Sequence, residues 1–214
     1  MKKLVTNREV VFSEHPPYPH NMMVELTNAC NHQCIFCAHK RMKRKKGFCD
    51  KDLMLHIIRQ AYELGTREIG FYLCGETLLS KDLEFLVENC KRMGFEYIYL
   101  TTNGALADKG RIRTLSQLGL SSIKFSVDAA TAKTHQKIHG TDDFGLVRQN
   151  IFDALSLKEE GIDLAVFASY AVLKSNKNEV SKFQEEIGQY LDDISIDAAF
   201  EQGGGYAGPN RRSA

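Results

Sequence analysis

The chain has 214 residues, 43% of them apolar, which is ample for a sizeable buried core and excludes a disordered tail protein. Its 28 Lys and Arg nearly cancel 27 Asp and Glu, so the net charge of +1 supplies no global field for nucleic acid or an anionic membrane. No apolar run approaches the ~18 residues of a membrane span, the longest being Leu164 to Leu173, and Lys2-Lys3 is followed only by Leu4-Val5, so neither a transmembrane helix nor a signal peptide is expected.

In chain order, the run Met22–Leu26 predicts a first strand. Asp50 is placed to cap a helix carrying Leu53, Met54, Ile57, Ile58, Ala61 and Leu64 and ended by Gly65. A second strand, Glu68–Leu73, precedes a helix that Ser80 opens, with Leu83, Leu86, Val87, Cys90 and Met93 on one stripe and Gly94 as the stop. The alternation continues with strands at Glu96–Leu100, Ser122–Val127, Asp163–Leu173 and Ile194–Asp197 and helices near 107–118, 143–160 and 178–190. Units of about 30 residues argue for an α/β fold with a parallel sheet, either open and doubly wound or curled into a partial or full barrel. Six strands are too few for a full eight. After them only a Gly-rich tail remains, too short for another helix and strand, so the chain reads as a fragment or a minimal core.

Six Cys, three of them within eight positions, look unlike a secreted disulfide scaffold; the thiols are expected to be reduced, in a cytoplasm, and available for metal. Cys30, Cys34 and Cys37 have the spacing C-x3-C-x2-C directly after the first strand, and active sites of parallel α/β folds sit at such strand ends. Three thiolates can hold one face of an iron–sulfur cube and leave one iron open. The alternative is a structural zinc with His32 or His39 as fourth ligand. Strand two, however, runs into Cys74-Gly75-Glu76, strand three into Thr101-Thr102-Asn103-Gly104 and strand four into Ser126-Val127-Asp128, and a structural zinc would need none of these.

With these motifs the sequence resembles the radical S-adenosylmethionine (SAM) enzymes, over roughly residues 16 to 200. The shared features are the Cys loop with an aromatic, here Phe36, before its last Cys, a Gly-Glu motif after strand two, and polar groups after strands three and four. The lead-in Glu25-Leu-Thr-Asn-Ala-Cys30-Asn and the segment Pro16-Pro17-Tyr18-Pro19 are similar to members with a C-terminal Cys-rich extension, the SPASM/Twitch group. The resemblance implies a partial (β/α)6 TIM-like barrel of parallel strands over residues 21–198, with an N-terminal extension at 1–20. The tail 199–214 would then begin a truncated extension, whose auxiliary-cluster cysteines are absent because no Cys follows Cys90. It also implies that Cys30, Cys34 and Cys37 hold a [4Fe–4S] cluster whose open iron is chelated by SAM. Gly75 and Glu76 would meet the methionyl amine, Ser126, Asp128, Thr102 and Asn103 the ribose and carboxylate, and Phe36 the adenine. One electron, from a reductant such as flavodoxin or ferredoxin, would cleave SAM to a 5′-deoxyadenosyl radical that takes hydrogen from a peptide or sugar-type substrate.

The sequence departs from that pattern in places. Cys74 stands where the family usually has its first Gly, either as a small packed side chain or as a hydrogen-atom donor. Cys90 reads as packing, Cys49 offers no partner, and His15 and His20 read as surface residues. His139-Gly140 occupies the place of a frequent Arg-Gly; the His either contacts the SAM carboxylate or is a turn residue. Six of the seven residues Lys40 to Lys46 are basic, leaving 22 basic against 27 acidic residues elsewhere. That run is either a solvated loop or a recruiter of an anionic peptide, sugar phosphate or nucleotide; no interleaved aromatics favour RNA. Two other classes remain: a zinc or iron–sulfur binding module that docks a partner through the basic loop, and an ordinary SAM methyltransferase, which lacks a Gly-rich loop after strand one and has no use for three thiolates.

Overall fold

Six strands, β1 (Asn21–Val24), β2 (Glu68–Phe71), β3 (Tyr97–Thr102), β4 (Ser122–Ser126), β5 (Ala165–Val172) and β6 (Asp193–Ala198), pair in parallel in the order of the sequence. The structure, a computed structural model, describes residues 18–199; Pro16-Pro17, His15 and most of the Gly-rich tail lie outside them. A doubly wound sheet would reverse its strand order at a switch point. The strictly sequential order removes that alternative, and β1 and β6 each have one sheet neighbour, so the sheet is an arc, a partial (β/α)6 barrel.

The helices are α1 (Lys51–Glu63), α2 (Leu83–Met93), α3 (Lys109–Gln117), α4 (Ala132–His139), α5 (Phe144–Glu159) and α6 (Val180–Glu186). Asp50 caps α1 through its side chain, which accepts from Leu53 N, and Gly94 ends α2 in the left-handed conformation, as the sequence predicts. Between β4 and β5 the chain makes two helices rather than one. Thr131 caps α4 by accepting from Thr134 N, and Gly140, at φ +75°, stops it before α5 begins. β3 also runs two residues beyond its predicted end, because Thr101 and Thr102 still find Lys124 and Phe125 across the ladder.

Alternation along the strands divides the sheet into two faces. Ile98, Leu100, Ile123, Phe125, Val166 and Tyr170 are buried beneath stripes from the helices, among them Leu86, Val87 and Cys90 of α2, Leu115 of α3 and Ile151 and Leu157 of α5. Each such side chain contributes roughly 1.5–3 kcal/mol on burial, so this layer holds the arc together. On the concave face, Met23, Glu68, Tyr99, Lys124 and Phe167 line an open cavity. A Cβ on Gly70 would lie 2.5 Å from Cζ of Tyr99, so the glycine lets that ring lie across β2. Because all strands are parallel, their C-terminal ends share one rim, to which the loops after β1 to β4 are delivered. Among the described residues, no helix is long and apolar enough to cross a membrane.

Cys90, fully buried among apolar neighbours, has only a packing role. Cys90→Ala is expected to lower stability by about 1 kcal/mol or a little more, read from the midpoint of urea unfolding, and to leave iron uptake unchanged.

Candidate active site

The Cys loop is gripped from both sides. Ahead of it, Thr27 Oγ1 donates to Gly47 O at 2.7 Å, Asn28 Nδ2 donates to Lys45 O at 3.0 Å, and Asn28 Oδ1 accepts from Gly47 N at 2.8 Å. These bonds fold the basic segment back against the end of β1, where Arg44 makes two hydrogen bonds, 2.8 and 3.1 Å, to the Glu25 carboxylate. Behind it, Gln33 N and Ile35 N donate to the His139 and Ile138 carbonyls at 2.8 and 2.9 Å, tying the loop to the last turn of α4.

Cys30, Cys34, Phe36, Cys37, Gly75, Glu76, Thr102, Asn103, Ser126 and Asp128, the ten positions singled out in the sequence, all line one pocket on the rim. The three cysteines are free and partly exposed. Burial pushes the Cys30 and Cys34 thiols above their ordinary range, the neighbouring Glu76 and Asp128 carboxylates adding to the effect, so thiolates there call for a bound cation. Phe36 also packs against Ile138, Leu173 and Ala199, which fixes its ring at the pocket wall.

Gly75 is required by close approach. A Cβ there would stand 2.1 Å from Thr27 O and 2.6 Å from Ala29 O, and the next residue, Glu76, donates its N–H to Ala29 O at 2.8 Å. The Glu76 carboxylate accepts from Thr102 Oγ1 (2.8 Å), Asn103 N (2.8 Å) and Leu78 N (3.0 Å). Burial raises its pKa, opposed by those three bonds. The Thr102 hydroxyl, by donating to Glu76 and accepting from Gly104 N, is engaged in holding the loop. Asn103 Nδ2 reaches back to Asn31 Oδ1 in the Cys loop at 2.7 Å.

Asp128 takes φ +55°, which Asp tolerates better than most residues, and is buried with Oδ1 accepting from Ala171 N at 2.6 Å. Asn176 Nδ2 donates to Asp128 O and secures the turn. Burial pushes the Asp128 carboxyl up to about 7, against the Ala171 bond. Ser126 meets the Ser169 hydroxyl at 3.4 Å.

Sequence reading singled out His32 and His139 but missed His135 and the grouping of the three. His139 is no turn residue: it ends α4, is buried, and places Nδ1 3.1 Å from Cys34 Sγ and Nε2 2.8 Å from Val127 O. Burial lowers its pKa to about 3. His32 and His135 each set Nε2 2.8 Å from one oxygen of Asp143. The usable signal was His135-x3-His139, two histidines one helical turn apart just beyond a strand end. His20 is half-buried beside Glu68, not fully on the surface. Cys74 is exposed on the same pocket, its N–H donating to Glu25 Oε2 at 3.3 Å.

The structure does not favour the Cys3His zinc site. Tetrahedral zinc with bonds of about 2.3 Å needs its sulfurs about 3.8 Å apart. Among the described residues, the groups whose ligand atoms converge within 4.8 Å are His32, Cys34, His139 and His32, His135, Asp143; the Cys triplet is not one of them. His39 instead places Nε2 2.9 Å from Asn28 O. Three thiols of one loop that line one pocket without converging on a single point suit the face of a larger inorganic group.

A parallel arc with a Cys-rich loop at its C-terminal mouth and polar groups from the next three strand ends defines a cofactor-dependent α/β enzyme. The model of the Radical SAM superfamily matches residues 24–187, and the chain belongs to that family. A probable GTP 3′,8-cyclase of Saccharolobus solfataricus is 30% identical over 165 residues, 77% of this chain and 52% of that protein. An uncharacterized protein of Methanocaldococcus jannaschii is 30% identical over 83% of this chain and 56% of its own length. The chain therefore spans about half the length of these curated relatives. Among solved structures, SuiB of Streptococcus suis bound to its precursor peptide SuiA has a TM-score of 0.67 at 20% identity, covering 86% of this chain and 40% of SuiB. Methylornithine synthase PylB has a TM-score of 0.67 at 13% identity, covering 86% and 55%. These likenesses establish the fold. Members of the superfamily bind a [4Fe–4S] cluster and SAM, and SuiB has also been solved with SAM.

Two outcomes are expected of the site. Gly75→Ala forces the β2 loop away from backbone oxygens and should lower the urea midpoint by the equivalent of about 1–3 kcal/mol and reduce iron retention. Because the folded pKa of Asp128 lies above its ordinary 3.8, the folded state holds a proton the unfolded chain releases. Its contribution is therefore greatest at low pH and is lost as pH rises from about 4 to about 7. Urea titrations at several pH values should show the native chain losing stability relative to Asp128→Asn across that window and no further above it.

Proposed function

We propose that this chain is the catalytic core of a radical SAM enzyme, with residues 21–198 as its core domain. The observation that carries the reading is that Cys30, Cys34 and Cys37 stand on one pocket with the motifs of the next three strand ends. When bound there, a reduced [4Fe–4S] cluster supplies one electron that cleaves SAM and yields the 5′-deoxyadenosyl radical, which takes hydrogen from the substrate.

The chain's own residues bind and orient. Cys30, Cys34 and Cys37 would hold the cluster and leave it an open iron for the amino and carboxylate groups of SAM. Gly75 and Glu76 meet the methionyl ammonium, the carboxylate of Glu76 keeping one oxygen with a single protein donor, Asn103 N. Ser126, Asp128 and Asn103 would face the ribose and carboxylate, and Phe36 the adenine, while Thr102 holds Glu76 in place.

The lead-in to Cys30 supports a SPASM/Twitch-like subgroup. Lys43, Lys45 and Lys46 are exposed on the segment that Asn28 and Arg44 tie to the end of β1, and among the described residues no ion pair engages them, whereas the Arg44 charge is matched by Glu25, so three ammonium groups can draw in an anionic peptide, sugar phosphate or nucleotide. The reductant would be a flavodoxin- or ferredoxin-type protein.

Anaerobic reconstitution with iron and sulfide, reduction by dithionite and chromatography for 5′-deoxyadenosine test the reading. The product should form from added SAM and disappear in each of Cys30→Ala, Cys34→Ala and Cys37→Ala; SAM cleavage by the Cys34 variant would refute it. Replacing Lys43, Lys45 and Lys46 by Gln should raise KM for an anionic substrate several-fold while leaving substrate-free SAM cleavage unchanged. An unchanged KM would make the loop merely solvated.

A further inference from the structure

Behind the Cys loop the imidazoles of His32, His135 and His139 form one buried group, with ring centroids 5.7, 5.3 and 4.4 Å apart. Each ring has an acceptor at Nε2: the two Asp143 oxygens for His32 and His135, and the Val127 carbonyl for His139, all at 2.8 Å. An acceptor at Nε2 fixes the hydrogen there and leaves the lone pair on Nδ1. In His32 and His135 that Nδ1 is fully buried without a hydrogen-bond partner. In His139 it faces Cys34 Sγ at 3.1 Å. A ligand atom from each of His32, Cys34 and His139 lies within 4.8 Å of the others. A carboxylate or carbonyl on the far nitrogen is also the usual outer contact of a metal-bound histidine, fixing its tautomer and its orientation.

We propose that the cluster-free protein binds one zinc ion through His32, Cys34 and His139, and that this ion and the [4Fe–4S] cluster exclude each other. Two imidazoles and a thiolate form a borderline-soft donor set suited to zinc. All three side chains line the rim pocket, so a water molecule can complete the coordination. On binding, the Cys34 S–H bond breaks, its proton leaves to water, and a zinc–sulfur bond forms with no change of oxidation state. The exclusion, though not the zinc binding, rests on the reading of Cys34 as a cluster ligand. The site differs from a Cys3His zinc in needing neither Cys30 nor Cys37.

The test titrates the iron-free 214-residue chain with Co2+ under anaerobic conditions, followed by displacement with Zn2+. One equivalent should bind with sulfur-to-cobalt charge-transfer absorbance. Cys34→Ala should abolish that band, His32→Ala and His139→Ala should each weaken affinity at least about 10-fold, and Cys30→Ala and Cys37→Ala should keep it. Should either alanine variant at a histidine fail to fold by circular dichroism, His32→Gln and His139→Gln preserve bulk and should still lose affinity. Absence of cobalt binding, or its loss in Cys30→Ala or Cys37→Ala, would overturn the site. Zinc-loaded protein should also assemble the cluster far more slowly than zinc-free protein, and equal rates would overturn the exclusion. A protein that binds cobalt as described but never cleaves SAM would defeat the enzymatic reading alone.

Discussion

One buried carboxylate organises the rim. The Glu76 N–H holds the Cys-loop lead-in, through Ala29 O, while its side chain holds the start of the β3 loop through Thr102 and Asn103. The carboxylate is buried, and the bonds from Thr102, Asn103 and Leu78 oppose the desolvation that raises its pKa. Asn103, once placed, reaches Asn31 and closes the circuit back to the cysteines. The arrangement is possible only because Gly75 has no side chain to hold the two backbones apart. The geometry of the Cys loop is thus set less by the loop itself than by the neighbouring strand ends against which it rests.

Much of this was readable from the residues. The βα alternation, the caps at Asp50 and Gly94 and the apolar stripe of α2 follow local rules, and local rules survive folding when the core agrees with them; on α1 only Ile58 and Ala61 are buried, and Leu53, Ile57 and Leu64 of the expected stripe are exposed. Placing the four motifs on strand ends sufficed to bring all ten singled-out residues to one pocket, because a parallel sheet leaves its C-terminal ends no other place to be. What resisted was non-local. Whether the sheet curls or winds doubly depends on strand order, which no single segment encodes. Thr102 read as a pocket-facing hydroxyl, but its partner Glu76 is 26 residues away.

The histidine grouping failed to register for a different reason. His32 read as a possible zinc ligand, and His139 as either a contact to the SAM carboxylate or a turn residue, because the eight residues of α4 are too few to show a clear period. Only folding places residue 32 against residues 135, 139 and 143, through the loop-to-helix bonds at Gln33 and Ile35. The same contact explains why Gly140 matters: its left-handed turn ends α4 with the last carbonyls pointing at the Cys loop.

Among the described residues, the arc that carries the site ends on two strands, β1 and β6, with one unpaired edge each. A free edge presents unpaired N–H and C=O groups to any other extended chain, including a second copy of itself. On β6 the exposed positions include Asp193 and Asp197, whose like charges would face one another in an edge-to-edge pair. β1 is only four residues long, too short a template for lasting addition. Among the described residues, both edges of the arc thus carry features that disfavour edge-to-edge pairing.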